Sequence, residues 1–272
     1  KIYGHVSMVR SYDRTWMVQH LAARALEDMR TGMQIIRQVI RYFDSLYCLP
    51  AVGMDYMMFY FRPENRFPDR FFGDFARHIR NPRICSLDLF AYLNYPTAAP
   101  AEELPAGWTL GGCSETDVEE LNRYYRFASG GLLMDVLRLG KERPEGKTLS
   151  DLYASCGFVR RYRSLSLSQD GKLKAVLIAN QSDAGLSLSD FLNGIKILAT
   201  DAEGLPWPIL QAAVSRLTGD YTIDQIPLLV YPANYFQVQN VPCEKLYNLW
   251  IMDLDHGREY VDYRYGKHKV NA

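Results

Sequence analysis

The stretch that decides the fold runs from Gly4 to Asn94. It opens with His5-Val-Ser-Met-Val-Arg10 and Thr15-Trp-Met-Val-Gln19, two β-prone runs turning at Tyr12-Asp13-Arg14. Such runs joined by a short polar turn predict an antiparallel hairpin. Apolar residues at helical spacing then predict an amphipathic helix over 33–43. Met54 to Phe61 is a continuous apolar run of the kind a buried strand requires. Arg62-Pro-Glu-Asn65 is turn chemistry, and a second helix over 69–79 and a strand over 84–93 complete the unit. The predicted order is β-β-α-β-α-β.

Outward from this segment, Pro96-Thr-Ala-Ala-Pro-Ala-Glu-Glu-Leu-Pro-Ala-Gly107 has three prolines and no apolar period. It predicts a semi-rigid linker over 96–107. That divides the chain into a first domain over 1–95 and a second over 108–272. In the second, Trp108 to Gly111 is a short strand. Ser114 and Asp117 make a capping box for a helix carrying Val118, Leu121, Tyr124 and Tyr125. Gly130-Gly131 breaks it, a second helix runs over 132–139, and 141–147 is a polar loop. Strands over 158–168 and 173–179 flank the hairpin turn Gln169-Asp-Gly171. A strand over 195–200, a helix opening at Leu205-Pro-Trp-Pro208 and a strand over 226–231 follow. A final hairpin is predicted from 246–254 and 259–265 around Asp255-His-Gly257.

Composition narrows the function classes. The 272 residues exceed the usual size of one domain, and 48% hydrophobic content with 19 Tyr can fill two cores. Lys+Arg and Asp+Glu are equal at 31 each, so no long-range field draws nucleic acid or an anionic membrane. Cys48, Cys85, Cys113, Cys156 and Cys243 stand singly and show neither a zinc spacing nor a disulfide framework. Free thiols fit a cytoplasmic protein. No apolar run reaches the ~18 residues of a membrane span, and no signal peptide is visible. His5, His78, His256 and His268 show no metal spacing, so no metal is expected. The opening at Lys1, directly before a strand, points to a piece of a longer protein.

The β-β-α-β-α-β order of the first unit resembles the second half of a GNAT-type acyltransferase domain. The second unit resembles a whole domain of that family. The implied fold class is α+β: two GNAT-like domains, the first partial, each a twisted, mixed and largely antiparallel sheet with flanking helices. Families with two such domains include Fem-type aminoacyl transferases and lysyl-phosphatidylglycerol synthases, and no motif here selects either. The resemblance implies transfer of an acyl group from acyl-CoA (acetyl-CoA), or from an aminoacyl donor, to a small-molecule or peptide amine.

In that family a loop of pattern Gln/Arg-x-x-Gly-x-Gly/Ala between strand and helix holds the pyrophosphate on backbone N–H groups and the helix dipole. Gln19-His-Leu-Ala-Ala-Arg24 matches loosely through Gln19 and Ala22, with Arg24 where a small residue is expected. Arg30-Thr31-Gly32 offers the same chemistry just before the helix: charge, hydroxyl and close backbone approach. A plain helix cap at Thr31 explains these residues equally well. Asn65 stands where the family places an Asn against the pantetheine arm, and it also suits a turn. Tyr60 corresponds to a general acid toward the leaving thiolate, beside a packing role in a Tyr-rich chain. His20 is the best-placed base, because histidine's ordinary pKa of ~6.5 suits proton transfer, beside a structural role.

The second unit's strand-to-helix junction, Thr200-Asp-Ala-Glu-Gly-Leu-Pro206, lacks the pattern, and Asp201 and Glu203 would repel pyrophosphate. The rival function is a non-catalytic binding or sensing module on the same fold. Within it, Asn180-Gln-Ser-Asp-Ala-Gly185 with Arg160-Arg-Tyr-Arg163 upstream resembles the PilZ cyclic-di-GMP motif, with its arginines one residue too close. An Asx turn followed by an N-cap at Ser189 is the plainer explanation.

Overall fold

The computed structural model describes residues 2–24, 31–46, 49, 52–139, 148–187 and 190–269. The chain forms two compact units. The first comprises Lys1–Leu87, Gly131–Leu137 and Leu249–Ala272, the second Asp88–Gly130 and Arg138–Asn248. Both units are thus discontinuous along the chain. The architecture is α+β, with mixed, mainly antiparallel strand pairing.

The first unit begins with β1 (Gly4–Tyr12) and β2 (Thr15–Ala23), an antiparallel hairpin. Helix α1 (Thr31–Leu46) then leads to β3 (Tyr56–Phe61), which pairs with β2 in parallel. A parallel pair needs a crossover, and α1 supplies it. It lays Ile36 and Val39 into the core with Ile35 and Ile40 beside them, while Gln34, Arg37 and Gln38 are exposed. Gly4 permits the approach, because a Cβ there would overlap the Ile35 side chain. After β3 come α2 (Arg66–Pro68), a π-helical turn (Asp69–Gly73) and α3 (Asp74–Ile79), then β4 (Cys85–Pro96). The order β-β-α-β-α-β is the one expected from the sequence. Strand order in this unit is β1-β2-β3-β10-β4, where β10 (Lys245–Asp253) contributes its last residues.

The chain's final segment differs from expectation. Residues 259–265 are no hairpin arm; they lie in α9 (Gly257–Lys269). The apolar alternation of Val261, Tyr263 and Tyr265 fits period 2, but Tyr260 and Tyr263 sit three apart on one helix face. Tyr260 is buried, with Phe75 at 5.0 Å, Trp250 at 5.8 Å and Phe71 at 6.2 Å between ring centroids. Its hydroxyl donates to the Phe71 carbonyl. Tyr263 stacks on His78 at 4.4 Å. An aromatic cluster of this kind holds a helix more firmly than two edge positions would.

In the second unit, β5 (Trp108–Gly112) precedes α4 (Glu115–Ala128), α5 (Leu133–Leu137, counted with the first unit) and α6 (Leu149–Ser155). The Ser114–Asp117 capping box forms as the sequence predicts, and Thr148 and Asp151 form another for α6. The expected polar loop over 141–147 lies outside the described residues. Strands β6 (Arg160–Gln169) and β7 (Lys172–Ser182) form a hairpin. Its tip puts Asp170 at φ 48° and Gly171 at φ 76°, the left-handed pair that a type I′ turn requires. Strand β8 (Ile195–Ala199), α7 (Trp207–Ser215), β9 (Gln225–Tyr231), α8 (Tyr235–Val238) and the start of β10 follow. Strand order is β10-β4-β9-β8-β7-β6-β5, and β8 and β9 pair in parallel across α7. Ile195, Ile197, Ala199, Leu228, Val230, Leu210 and Val214 are all buried in one core.

Candidate functional site

The parallel pairs mark where a ligand site can form, because crossings of this type leave a crevice beyond the carboxyl ends of the strands. The two units differ there.

In the first unit the β2–β3 ladder runs Thr15↔Tyr56, Trp16↔Met57, Met17↔Met58 and Val18↔Phe59, then stops. Both strands continue: β2 to Ala23, still paired with β1, and β3 to Phe61. They therefore part beyond Val18 and Phe59. Among the described residues the β2–β3 ladder has no rung beyond Val18 and Phe59, and main-chain polar groups beside such a parting take partners elsewhere.

A bulge sits at the same level. Ser7 faces Gln19 and His5 faces Ala22, so His20 and Leu21 together oppose Val6. His20 adopts φ 53° to make it. A histidine in the left-handed region is strained, and bulges of this kind re-aim side chains. The His20 Nε2 is buried and meets no hydrogen-bond partner among the described residues. Gln19 is buried in the strand, and its carbonyl accepts from the Ser7 hydroxyl at 3.2 Å.

Beyond the bulge, Ala22, Ala23 and Arg24 are exposed, and the Arg24 N–H donates to the Tyr3 carbonyl at 2.8 Å. Thr31 is the first residue of α1 and Gly32 the second. A Cβ on Gly32 would stand 3.8 Å from the Ala23 methyl and 3.5 Å from the Phe67 ring. The end of β2, the start of α1 and the turn after β3 therefore converge. Arg30 lies outside the described residues.

On the β3 side, Tyr60 follows Phe59 directly, so it lies one residue past the last rung. Its side chain is buried, on the sheet face opposite Phe59 and Phe61. Arg62 and Glu64 form an ion pair in the turn, and the Asn65 N–H donates to the Arg62 carbonyl. Asn65 precedes α2, is exposed, and makes no side-chain cap bond. Phe67 is 42% exposed and stacks on Phe71 at 6.1 Å. The structure thus brings Gln19, His20, Ala22, Gly32, Tyr60 and Asn65 to one end of the first unit's sheet. Ala23 and Phe67 belong there too and were missed. Phe67 left a trace, as an aromatic in a polar turn; Ala23 left none.

The second unit's corresponding junction is filled from within. Asp201 accepts from the Gly204 N–H at 2.8 Å and from Lys174 Nζ at 2.7 Å. A side chain on Gly204 would overlap the Asp201 carboxylate. These partners hold the Asp201 carboxyl below its ordinary pKa, the Lys174 hydrogen bond contributing most. Gln239 closes the rest, accepting from the Trp207 N–H at the start of α7 and donating to the Ala202 carbonyl at 2.7 Å. The loop amide, the lysine and the helix end that would greet an anion already have partners.

A buried carboxylate lies elsewhere in that unit. Asp88 on β4 accepts from the Tyr125 hydroxyl and the Ser129 hydroxyl, each at 2.5 Å. Burial raises its pKa despite both bonds. Arg160 and Asn180, from the two halves of the cyclic-di-GMP-like pattern, bond each other at 3.1 Å, with Arg160 only 1% exposed. Ser189 lies outside the described residues. Among the described residues no group of three or more His, Cys, Asp or Glu could hold a metal ion, and no helix is long and apolar enough to cross a membrane.

No family model matches this sequence, and no curated protein matches it. Several solved structures are similar in fold. A GCN5-related N-acetyltransferase from Sphaerobacter thermophilus is 12% identical, with 93% of this chain and 77% of that one covered, at a TM-score of 0.41. Another from Kribbella flavida is 11% identical, with 93% and 88% covered, at 0.41. A tandem GNAT protein from the clavulanic acid biosynthesis pathway is 12% identical, with 92% and 79% covered, at 0.36. Likenesses at this level carry no residue roles, which rest on the chain's own geometry.

Proposed function

We propose that the first unit binds an acyl-CoA at the parting of β2 and β3 and transfers its acyl group to an amine. That parting, with a strained bulge on one strand and the start of α1 beside it, is the observation that carries the reading. A backbone N–H at the carboxyl end of β2 polarises the thioester carbonyl. The first turn of α1, at Thr31 and Gly32, takes the pyrophosphate, with Arg24 adding charge. Asn65 meets the amides of the pantetheine arm. The amine nitrogen attacks the carbonyl carbon, His20 removes its proton, the C–S bond breaks, and Tyr60 protonates the departing thiolate. An aminoacyl ester would react by the same steps, with an alkoxide leaving. The free thiols of Cys85, Cys113, Cys156 and Cys243 fit a reducing cytoplasm.

For the second unit, the Asp201-filled junction favours the other reading, a non-catalytic GNAT-like module that supports or binds rather than transfers. The test is a thermal-shift titration with acetyl-CoA, longer acyl-CoAs and free CoA. A ligand at 100 times its Kd raises stability by about 2.7 kcal/mol. The expected result is a saturable rise that Arg24→Ala weakens and that Asp201→Ala leaves unchanged. No rise with any of the three ligands overturns acyl-CoA binding.

A further inference from the structure

A hollow of about 230 Å³ lies on the second unit's sheet, at the end of the β6–β7 hairpin away from its turn. Arg161 and Arg163 alternate along β6 onto one face, and the register sets them opposite Gln181 and Ala179 of β7. The small Ala179 side chain leaves the space between the two arginines open. Asp220, from the turn after α7, closes the rim. Ala179 also pairs with Ile195 at the start of β8, whereas Asp201 follows its end. At ~3.3 Å per residue the chain from Ile195 to Asp201 puts the hollow up to roughly 20 Å from the Asp201 junction.

The rim is ordered by its own bonds. Arg161 Nε donates to Gln181 Oε1 at 2.5 Å, Gln181 Nε2 donates to the Asp220 carbonyl at 2.5 Å, and Arg163 Nη2 pairs with the Asp220 carboxylate. The two terminal nitrogens of Arg161 have no partner among the described residues. Behind the strand, buried Arg160 donates to the Arg161 carbonyl and to Asn180, both neutral acceptors. Two guanidinium groups, those of Arg161 and Arg163, therefore line the hollow beside the Asp220 carboxylate. The space is below the ~300 Å³ at which drug-sized ligand sites begin, which favours a small ligand.

We propose that this hollow is a binding site for a small oxyanion, a phosphate or carboxylate group gripped by the open fork of Arg161 and seconded by Arg163. Arginine is suited to this because its planar donors match such groups two at a time. Gln181 and Asp220 position the two arginines and do not themselves hold the anion.

The test uses the full chain at matched ionic strength, titrated with inorganic phosphate and separately with succinate, with sodium chloride as control. Binding is read by thermal shift and by calorimetry. The expected result is a saturable response to one or both, weakened at least tenfold in Arg161→Ala. Circular dichroism checks that the fold survives a change at this exposed residue. Response to phosphate alone assigns a phosphate group, and response to succinate alone a carboxylate. The proposal is overturned by no saturable response, by an equal response to chloride, or by a response that persists undiminished in Arg161→Ala and Arg163→Ala.

Discussion

The strained bulge at His20 can be tested by the sign of one difference. At an ordinary strand position glycine is less stable than alanine by roughly 0.5–1 kcal/mol, because it loses more backbone freedom on folding. At φ 53° the balance inverts. Any residue with a Cβ carries a left-handed cost of roughly 1–2 kcal/mol, and glycine carries none. Setting the two against each other leaves His20→Gly more stable than His20→Ala by about 1 kcal/mol. Both variants lose the imidazole, so its packing and its buried Nε2 cancel from the comparison. Urea unfolding followed by tryptophan fluorescence is the assay, since Trp16 and Trp250 both lie in the first unit. With a slope of about 3 kcal/mol/M the midpoints should differ by about 0.3 M. Transfer activity should fall alike in both, which separates the strain from the chemistry. If His20→Ala is the more stable of the two, β2 carries no left-handed bulge, and the account of how the site is shaped fails.

Three further outcomes follow from the packing. Tyr260→Ala removes a fully buried ring from the Phe71–Phe75–Trp250 cluster and should cost about 3–5 kcal/mol, whereas Tyr260→Phe, losing one hydrogen bond, should cost about 1 kcal/mol; equal small losses in chemical denaturation would mean that α9 does not dock there. Burial raises the Asp88 pKa, so the folded state binds its proton more tightly than the unfolded state does. Its contribution to stability is therefore greatest below the ordinary carboxylate range and declines as pH rises through the folded value, and Asp88→Asn should flatten that part of a stability–pH curve; an unchanged curve contradicts the assignment. Ser114→Ala breaks the capping box of α4 and should lower stability by about 1 kcal/mol in thermal unfolding, with a change below 0.3 kcal/mol counting against the cap.

Much of the fold was legible because it is local. The Asp170-Gly171 turn, the Ser114–Asp117 cap and the face of α1 carrying Ile36 and Val39 each depend on residues within a few positions of one another. The last segment was not legible, because Val261, Tyr263 and Tyr265 satisfy a strand period as readily as Tyr260 and Tyr263 satisfy a helical one. Only the aromatic rings of Phe71, Phe75 and Trp250 select between them. The candidate site divides the same way. Gln19, Gly32 and Asn65 were accessible from residue type and neighbours, but Phe67 and Ala23 matter only because three distant chain segments meet.

By itself the sequence determined the order β-β-α-β-α-β over its first ninety-odd residues and most elements after it, since propensity, periodicity and turn chemistry act over short spans. Tertiary structure alone decided that β2 and β3 part beyond Val18 and Phe59, that a bulge forces His20 into a left-handed conformation, and that Asp201 fills the second junction. It also decided that 249–272 belong with the first unit. Each of these depends on which distant strand or side chain becomes a neighbour, and that is settled by packing, which no local span of residues contains.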